Sequence, residues 1–394
     1  VTGDAGERGP FGTWGDWAEL LRVSALFTVP GDALAGAAAA GRGPNRGTAL
    51  AVCASLCLYE AGMALNDWAD RDVDAVERPG RPLPSGRIAP AAALTAATGL
   101  TAAGLLCAAA AGRPAFATAT ALAGTVWAYD LGLKNTPAGP PTMAAARALD
   151  LLLGATASAR PAPGARRSAL GPAALLGVHT LAVTTVSRRE AVGGSPAAPL
   201  GALATAAAIA WTTTRGPAPA SGRGPEAGHG APVAVLKGTT GDAPAGGVAT
   251  ASFVALARAL PRTGPRRAAP AGRLVAATAG AAGRAAPRGG TRAGAGASRL
   301  TGAVALPGAS VSRFAAVAGA ALAGGYVATV ARPLAHAVLN PSPYLLQRAV
   351  GSGIRAMIPL QAVLASRAGA HRTAVGLLAL VPVARRLSRK VSAT

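Results

Sequence analysis

Apolar stretches of about 20 residues, the length a helix needs to cross the hydrocarbon core of a bilayer, recur along this chain. They lie at 17–40, 48–66, 89–112, 114–133, 141–158, 168–186 and 196–212, and again at 314–335, 344–366 and 371–384, the last being short. Trp14 and Trp17 stand at the start of the first stretch, Trp68 follows the second, and Trp127 and Trp211 fall late in the fourth and seventh. An aromatic belt at the headgroups would have this placement. Only 14% of residues are charged, against about 25% in soluble chains. Ala and Gly supply much of the apolar content, and small side chains let membrane helices approach closely. The pattern predicts an all-α integral membrane protein with no β-sheet.

The formal charge is +22, from 38 basic and 16 acidic residues. Such an excess suits nucleic acid or anionic lipid. Aromatic residues make up only 4% of the chain and no basic stripe is interleaved with them, which argues against nucleic acid. Membrane lipid and a diphosphate are the expected partners. Cys53, Cys57 and Cys107 lie in apolar runs without metal-like spacing to a histidine, and His179, His229, His336 and His371 are scattered. Zinc and triad chemistry are therefore not expected. The first residues are polar and Gly-rich, without the basic start and short apolar core of a cleavable leader. Basic residues divide almost evenly between alternate loops, so they set no orientation.

Four regions follow: a polar tail at 1–16, helices at 17–212, an Arg/Pro/Gly-rich stretch at 213–300, and C-terminal helices at 301–394. The third reads as a flexible loop, with one or two interfacial helices at most.

Chemistry concentrates in Asn66-Asp67-Trp68-Ala69-Asp70-Arg71-Asp72-Val73-Asp74, directly after the second apolar stretch. On a helix each residue advances by about 100°, so Asp67, Asp70 and Asp74 fall within roughly 60° of one face and Asp72 points away. Three carboxylates on one face repel each other unless a cation lies between them. Magnesium prefers oxygen ligands and bridges a few carboxylates to substrate phosphates. The loop from Glu77 to Ile88, with Arg78, Arg81, Arg87 and several Pro and Gly residues, reads as rigid. Arginines held there suit bidentate contact with phosphate.

The run NDWADRDVDAVERPGRPLPSG over 66–86 resembles the first aspartate-rich motif of the UbiA prenyltransferase superfamily. The resemblance implies a bundle of about nine transmembrane helices around a central cavity, Mg2+, and a prenyl diphosphate donor. It implies a metal–diphosphate role for Asn66, Asp67, Asp70 and Asp74, with Arg78 holding the diphosphate. Tyr129 to Pro140 resembles a second family stretch, with Lys134 as its diphosphate-binding base. The second aspartate-rich motif is a departure. Ser187 stands in the place of its leading Asp, Arg188 and Arg189 follow, and Glu190 is its only carboxylate. The implied metal set is thus Asp67, Asp70, Asp74 and Glu190, and Arg188 joins Arg78 and Lys134 at the diphosphate. Leu133-Lys134-Asn135-Thr136, Met143, Arg147, Ser187-Arg188, Glu190 and the run Ala349–Ala362 resemble the EboC-like branch.

The expected activity is magnesium-dependent transfer of an isoprenyl group to an electron-rich acceptor at a multi-pass protein of the cell membrane. The rival is a non-catalytic or transport-linked protein that keeps the fold and binds a lipid or metabolite. Arg147 and Asp150, three apart inside an apolar stretch, read either as a structural ion pair or as a polar wall of the cavity. Arg355 and Gln361 invite the same two readings.

Overall fold

In hydrocarbon, every backbone N–H and C=O must be satisfied within the protein, and a helix does this segment by segment. The computed structural model describes residues 12–157, 165–190, 193–215 and 308–391, and among them there is no strand. Its helices are α1 (Trp14–Leu20), α2 (Pro30–Ala39), α3 (Arg46–Ala69), α4 (Arg71–Glu77), α5 (Pro90–Ala111), α6 (Arg113–Ala128), α7 (Gly139–Thr156), α8 (Ala165–Ser187) and α9 (Ala197–Arg215). After the undescribed stretch come α10 (Gly308–Leu339), α11 (Pro343–Arg367) and α12 (His371–Val391). Of the region expected to be a loop at 213–300, residues 213–215 finish α9 and the remainder lies outside the described residues.

Among the described residues, five helices are long and apolar enough to cross a membrane: Arg46–Ala69, Pro90–Ala111, Arg167–Ser187, Ala316–Leu339 and Pro343–Arg367. The other apolar stretches are helical but shorter, interrupted or less apolar. The stretch expected at 17–40 is broken into α1, a 3-10 turn (Val23–Thr28) and α2. Arg22 between the first two is left-handed, with φ 49°, and Pro30 starts α2 where its missing N–H costs nothing. Local signals set other ends. The Asn45 side chain accepts from the Thr48 N–H to cap α3. Gly112, at φ 126°, turns α5 into α6 in a conformation that favours glycine.

Packing is by small residues. One core cluster joins α2, α7, α8, α9, α10 and α11 around Leu151, Leu176, Tyr326, Leu346 and Leu360. A second joins α2, α3, α5, α6 and α7 through Ala33, Ala54, Leu58, Ala119 and Leu153. Helices α2 and α7 cross almost backbone to backbone: a Cβ on Gly154 would fall on the Ala33 backbone, and one on Gly36 on the Leu151 carbonyl.

That crossing brings Asp32 to Arg147. The guanidinium Nη1 lies 2.9 Å from Asp32 Oδ2 and 3.9 Å from Asp150 Oδ2. Arg147 thus pairs with Asp150 three residues on, and more closely with Asp32, far earlier in the chain. Gln361 completes the cluster from α11, its Nε2 donating to the Thr28 carbonyl (2.7 Å) and to Asp32 Oδ1 (2.6 Å). Gly31 leaves the room that Gln361 fills. Charge at membrane depth is paired within the bundle, and here the pairing ties α2, α7 and α11 together.

Gly154→Ala should destabilise the detergent-solubilised protein by about 1–3 kcal/mol, because the added methyl overpacks the crossing. Gly124→Ala, where a Cβ meets nothing within 4 Å, should not. Thermal unfolding of the two variants side by side checks this.

Candidate functional site

The aspartate-rich run straddles the end of α3. Helix α3 stops at Ala69 and α4 begins at Arg71, with Asp70 between them at φ −93° and ψ 1°. Two backbone bonds carry the helical register across the junction: Asp70 N–H to the Asn66 carbonyl (2.9 Å) and Asp74 N–H to the Asp70 carbonyl (2.8 Å). Asp67 and Asp74 are buried, each 4% exposed. The Asp72 side chain is 84% exposed and faces Arg71 at 3.5 Å.

Each inward carboxylate has a cation. Arg81 Nη1 stands 2.6 Å from Asp74 Oδ2 and 3.5 Å from Asp67 Oδ1. Arg22 Nη2 approaches Asp67 Oδ1 at 2.9 Å. Lys134 Nζ lies 2.6 Å from Asp70 Oδ1. This ion pair occupies an ammonium that is otherwise buried and carries three donors. Arg78 is more remote, 4.0 Å from Asp74 with 58% of its side chain exposed.

The loop after α4 is folded to deliver Arg81. Its turns close through Arg81 N–H to the Arg78 carbonyl, Ser85 N–H to the Arg81 carbonyl and Ile88 N–H to the Pro82 carbonyl, each 3.0 Å. Leu83 and Ile88 anchor it in a cluster with Leu20, Leu65 and Ala93. Arg87 ties the loop to α1, reaching Asp16 at 2.5 Å and Glu19 at 2.8 Å and donating to the Gly80 carbonyl at 2.7 Å. Pairing with Glu19 and Asp16 raises the Arg87 pKa. Asp16 also accepts from the Thr13 hydroxyl and N–H, both at 2.7 Å. These Thr13 bonds first, and Arg87 after them, hold its carboxyl down at about 2.

The opposite wall is a π-helical turn, Tyr129–Leu133, that continues α6. Lys134 N–H reaches back to the Tyr129 carbonyl at 2.9 Å. Such turns are rare and often lie at functional sites. This one sets two parallel rungs against α3: Asn66 Nδ2 donates to Asp130 Oδ1 (3.1 Å), and Lys134 pairs with Asp70. The partners are four residues apart on both sides.

The region of the second motif arrives at the same loop by another route. Arg188 donates through Nη1 to the carbonyls of Lys134 (2.6 Å) and Thr136 (3.0 Å), and through Nη2 to that of Asn135 (3.5 Å). Here Arg188, expected at the diphosphate, holds the backbone that carries Lys134. Helix α8 ends at Ser187, and Glu190 sits half-buried in the turn that follows. Among the described residues, no three acidic, His or Cys side chains lie close enough to hold one ion. Asp67, Asp70, Asp74 and Glu190 are therefore not gathered as a single ligand set; arginine and lysine intervene between the carboxylates. Magnesium nonetheless fits the donor set. Asp67 and Asp74 already share one cationic nitrogen of Arg81, and magnesium commonly takes only one or two carboxylates with substrate phosphates completing its shell.

Sequence reasoning passed over three of these residues. Arg22 had a signal, being an arginine inside an apolar stretch. Asp130 had a similar one, being an acid at a span end four residues before Lys134. Nothing in the loop distinguished Arg81 from Arg78.

Asp16→Asn should lower stability at neutral pH. Because the folded carboxyl titrates below the unfolded one, its contribution is full above about pH 4 and fades as pH falls toward 2. The unfolding midpoints of the two proteins should thus converge between those values.

Residues 29–192 match the model of the UbiA prenyltransferase family. The digeranylgeranylglyceryl phosphate synthase of Methanopyrus kandleri is 35% identical over 142 residues, 36% of this chain and 51% of that protein. The protoheme IX farnesyltransferase of Acidiphilium cryptum is 42% identical over 81 residues, 20% of this chain and 25% of that one. The matches therefore span about half of one relative and a quarter of the other. An apo structure of a UbiA homolog from Aeropyrum pernix aligns with 49% of this chain and 78% of its own, at 19% identity and a TM-score of 0.43. Residues 29–192, which carry both rungs of the site, are thus similar to the UbiA prenyltransferase family.

Proposed function

We propose that this protein transfers an isoprenyl group from a prenyl diphosphate to an electron-rich acceptor, with Mg2+, as a multi-pass protein of the cell membrane. The observation that carries the reading is the facing pair of walls: Asp67 and Asp74 around Arg81, and Asp70 against Lys134. Such a site offers oxygen ligands and phosphate-binding cations together. The names of the relatives, a farnesyltransferase and a digeranylgeranylglyceryl phosphate synthase, support the same class. In this reading about nine spans surround a central cavity, and the chain is of the EboC-like branch.

Asp67, Asp70 and Asp74, held apart by arginine and lysine in this structure, would each be a candidate carboxylate for magnesium, one or two of them per ion, with Asn66 beside them and Glu190 as the carboxylate from the second-motif side. When bound, the ion supplies charge neutralisation for the departing diphosphate. Lys134 places an ammonium against the Asp70 carboxylate, and diphosphate oxygens would take the place of that carboxylate. Arg22, Arg81 and the more exposed Arg78 share that task. Arg188 keeps the Lys134 loop in place. As the bond between the allylic carbon and the diphosphate oxygen breaks, the electron pair leaves with the diphosphate, and fixed cations stabilise that developing charge. The acceptor then forms the new bond with its own electron pair and releases a proton. The apolar, Ala-lined bundle excludes water that would compete for the allylic carbon.

A second reading, a binding or transport-linked protein, is favoured by Ser187 in place of a carboxylate. The two readings separate in one experiment: purified protein with a prenyl diphosphate and Mg2+, followed for diphosphate release. Release that Lys134→Ala cuts by about 10²-fold or more supports transfer. Binding without release supports the second reading.

Asp70→Ala should abolish magnesium-dependent binding of the prenyl diphosphate, while Asp72→Ala should stay within about twofold, since its side chain is exposed. Equal losses would mean that the cluster is not the site.

A further inference from the structure

The carboxylate of Asp130 has no part in the transfer scheme above, yet it is buried, 5% exposed, and faces the first residue of the aspartate-rich run. We propose that Asp130 is a positioning residue that fixes the Asn66 amide with its oxygen, rather than its NH2, turned toward the cation and diphosphate. The inference rests on the prenyl-transfer reading and adds a residue to it. An ionised carboxylate only accepts hydrogen bonds, so it can engage Asn66 only through Nδ2. That bond is 3.1 Å long, and among the described residues it is the only hydrogen bond of the Asn66 side chain. The amide oxygen is thereby left for a hard cation, which an inverted amide would repel with its N–H groups. Groups that orient a ligand in this way typically change metal affinity by about 10–100-fold.

The surroundings are built for this contact. One turn before Asn66, Gly62 lacks the side chain that would keep α6 away: its Cβ would stand 3.0 Å from Val126 and 3.9 Å from Asp130 Oδ2. The π-turn then sets Asp130 and Lys134 four residues apart against Asn66 and Asp70. One rung turns an oxygen toward the site and the other an ammonium. This orienting carboxylate comes from the end of the fourth apolar stretch, outside both aspartate-rich motifs.

The test is magnesium-dependent binding of geranyl diphosphate to the full chain in detergent, for the unaltered protein, Asp130→Asn, and the exchanged pair Asn66→Asp with Asp130→Asn. In Asp130→Asn either orientation of the Asn66 amide can be satisfied. The magnesium concentration for half-saturation should rise about tenfold, while geranyl diphosphate affinity at saturating magnesium stays within about twofold. The exchanged pair again forces a donor onto the partner and an oxygen toward the cation, so half-saturation should return toward the original value. A purely structural role would lower the folded fraction and leave half-saturation unmoved. If Asp130→Asn alone does not fold, the exchanged pair carries the test. Half-saturation unchanged in a folded Asp130→Asn, or not restored by the exchange, overturns the role of Asp130 and leaves the prenyl-transfer reading standing. Geranyl diphosphate binding that ignores magnesium in the unaltered protein overturns that reading and this inference with it.

Discussion

Ion pairing of buried carboxylates is the interaction on which this architecture depends. An unpaired carboxylate inside an apolar bundle is expensive, and removing one partner of a buried pair leaves a costly bare charge. Asp67 and Asp74, each 4% exposed, and Asp32, fully buried, are therefore tolerable only where Arg22, Arg81 and Arg147 stand. Those three arginines come from a left-handed junction, a proline-rich loop and the middle of α7. The fold can thus be read as a device for bringing distant cations to a few fixed acids.

Close approach of helices makes this possible. At the α2–α7 crossing, Gly36 and Gly154 allow nearly backbone contact, and Asp32 and Arg147 meet on its flank. At the α3–α6 crossing, Gly62 admits Val126, and one turn later Asn66 meets Asp130. Lipid tails are as apolar as leucine, so burial drives helix association weakly and packing of small residues with polar contacts takes over. The abundance of Ala and Gly is therefore tied to the chemistry as well as to the packing.

Much of this was legible in the sequence. The apolar stretches located nearly every helix, because length and hydrophobicity act locally. The aspartate-rich run and Lys134 were legible because they are short, continuous patterns. What escaped depended on tertiary contact. The break in the first stretch rests on one residue, Arg22, in a left-handed conformation. Arg147 does reach the neighbour three residues on, but its nearer partner is Asp32, since the helix crossing decides which carboxylate is closer. Arg81 outranks Arg78 because the turn at Arg78–Arg81 points one inward and leaves the other in solvent. Arg188 ends on backbone carbonyls, a destination that no pattern of side chains encodes.

The carboxylates and cations of the site are in near balance, and that has a consequence for how a diphosphate would enter. Arg22, Arg81 and Lys134 are already engaged by Asp67, Asp74 and Asp70. An arriving diphosphate must therefore exchange these contacts rather than fill bare charge. A divalent cation taking over the carboxylates would free the same arginines and lysine to turn to the diphosphate oxygens. Cation and diphosphate would then bind with positive coupling, each releasing the partner the other needs. A site organised in this way would stay paired without its ligands, which a membrane interior demands, and would release its cations only when both ligands bind.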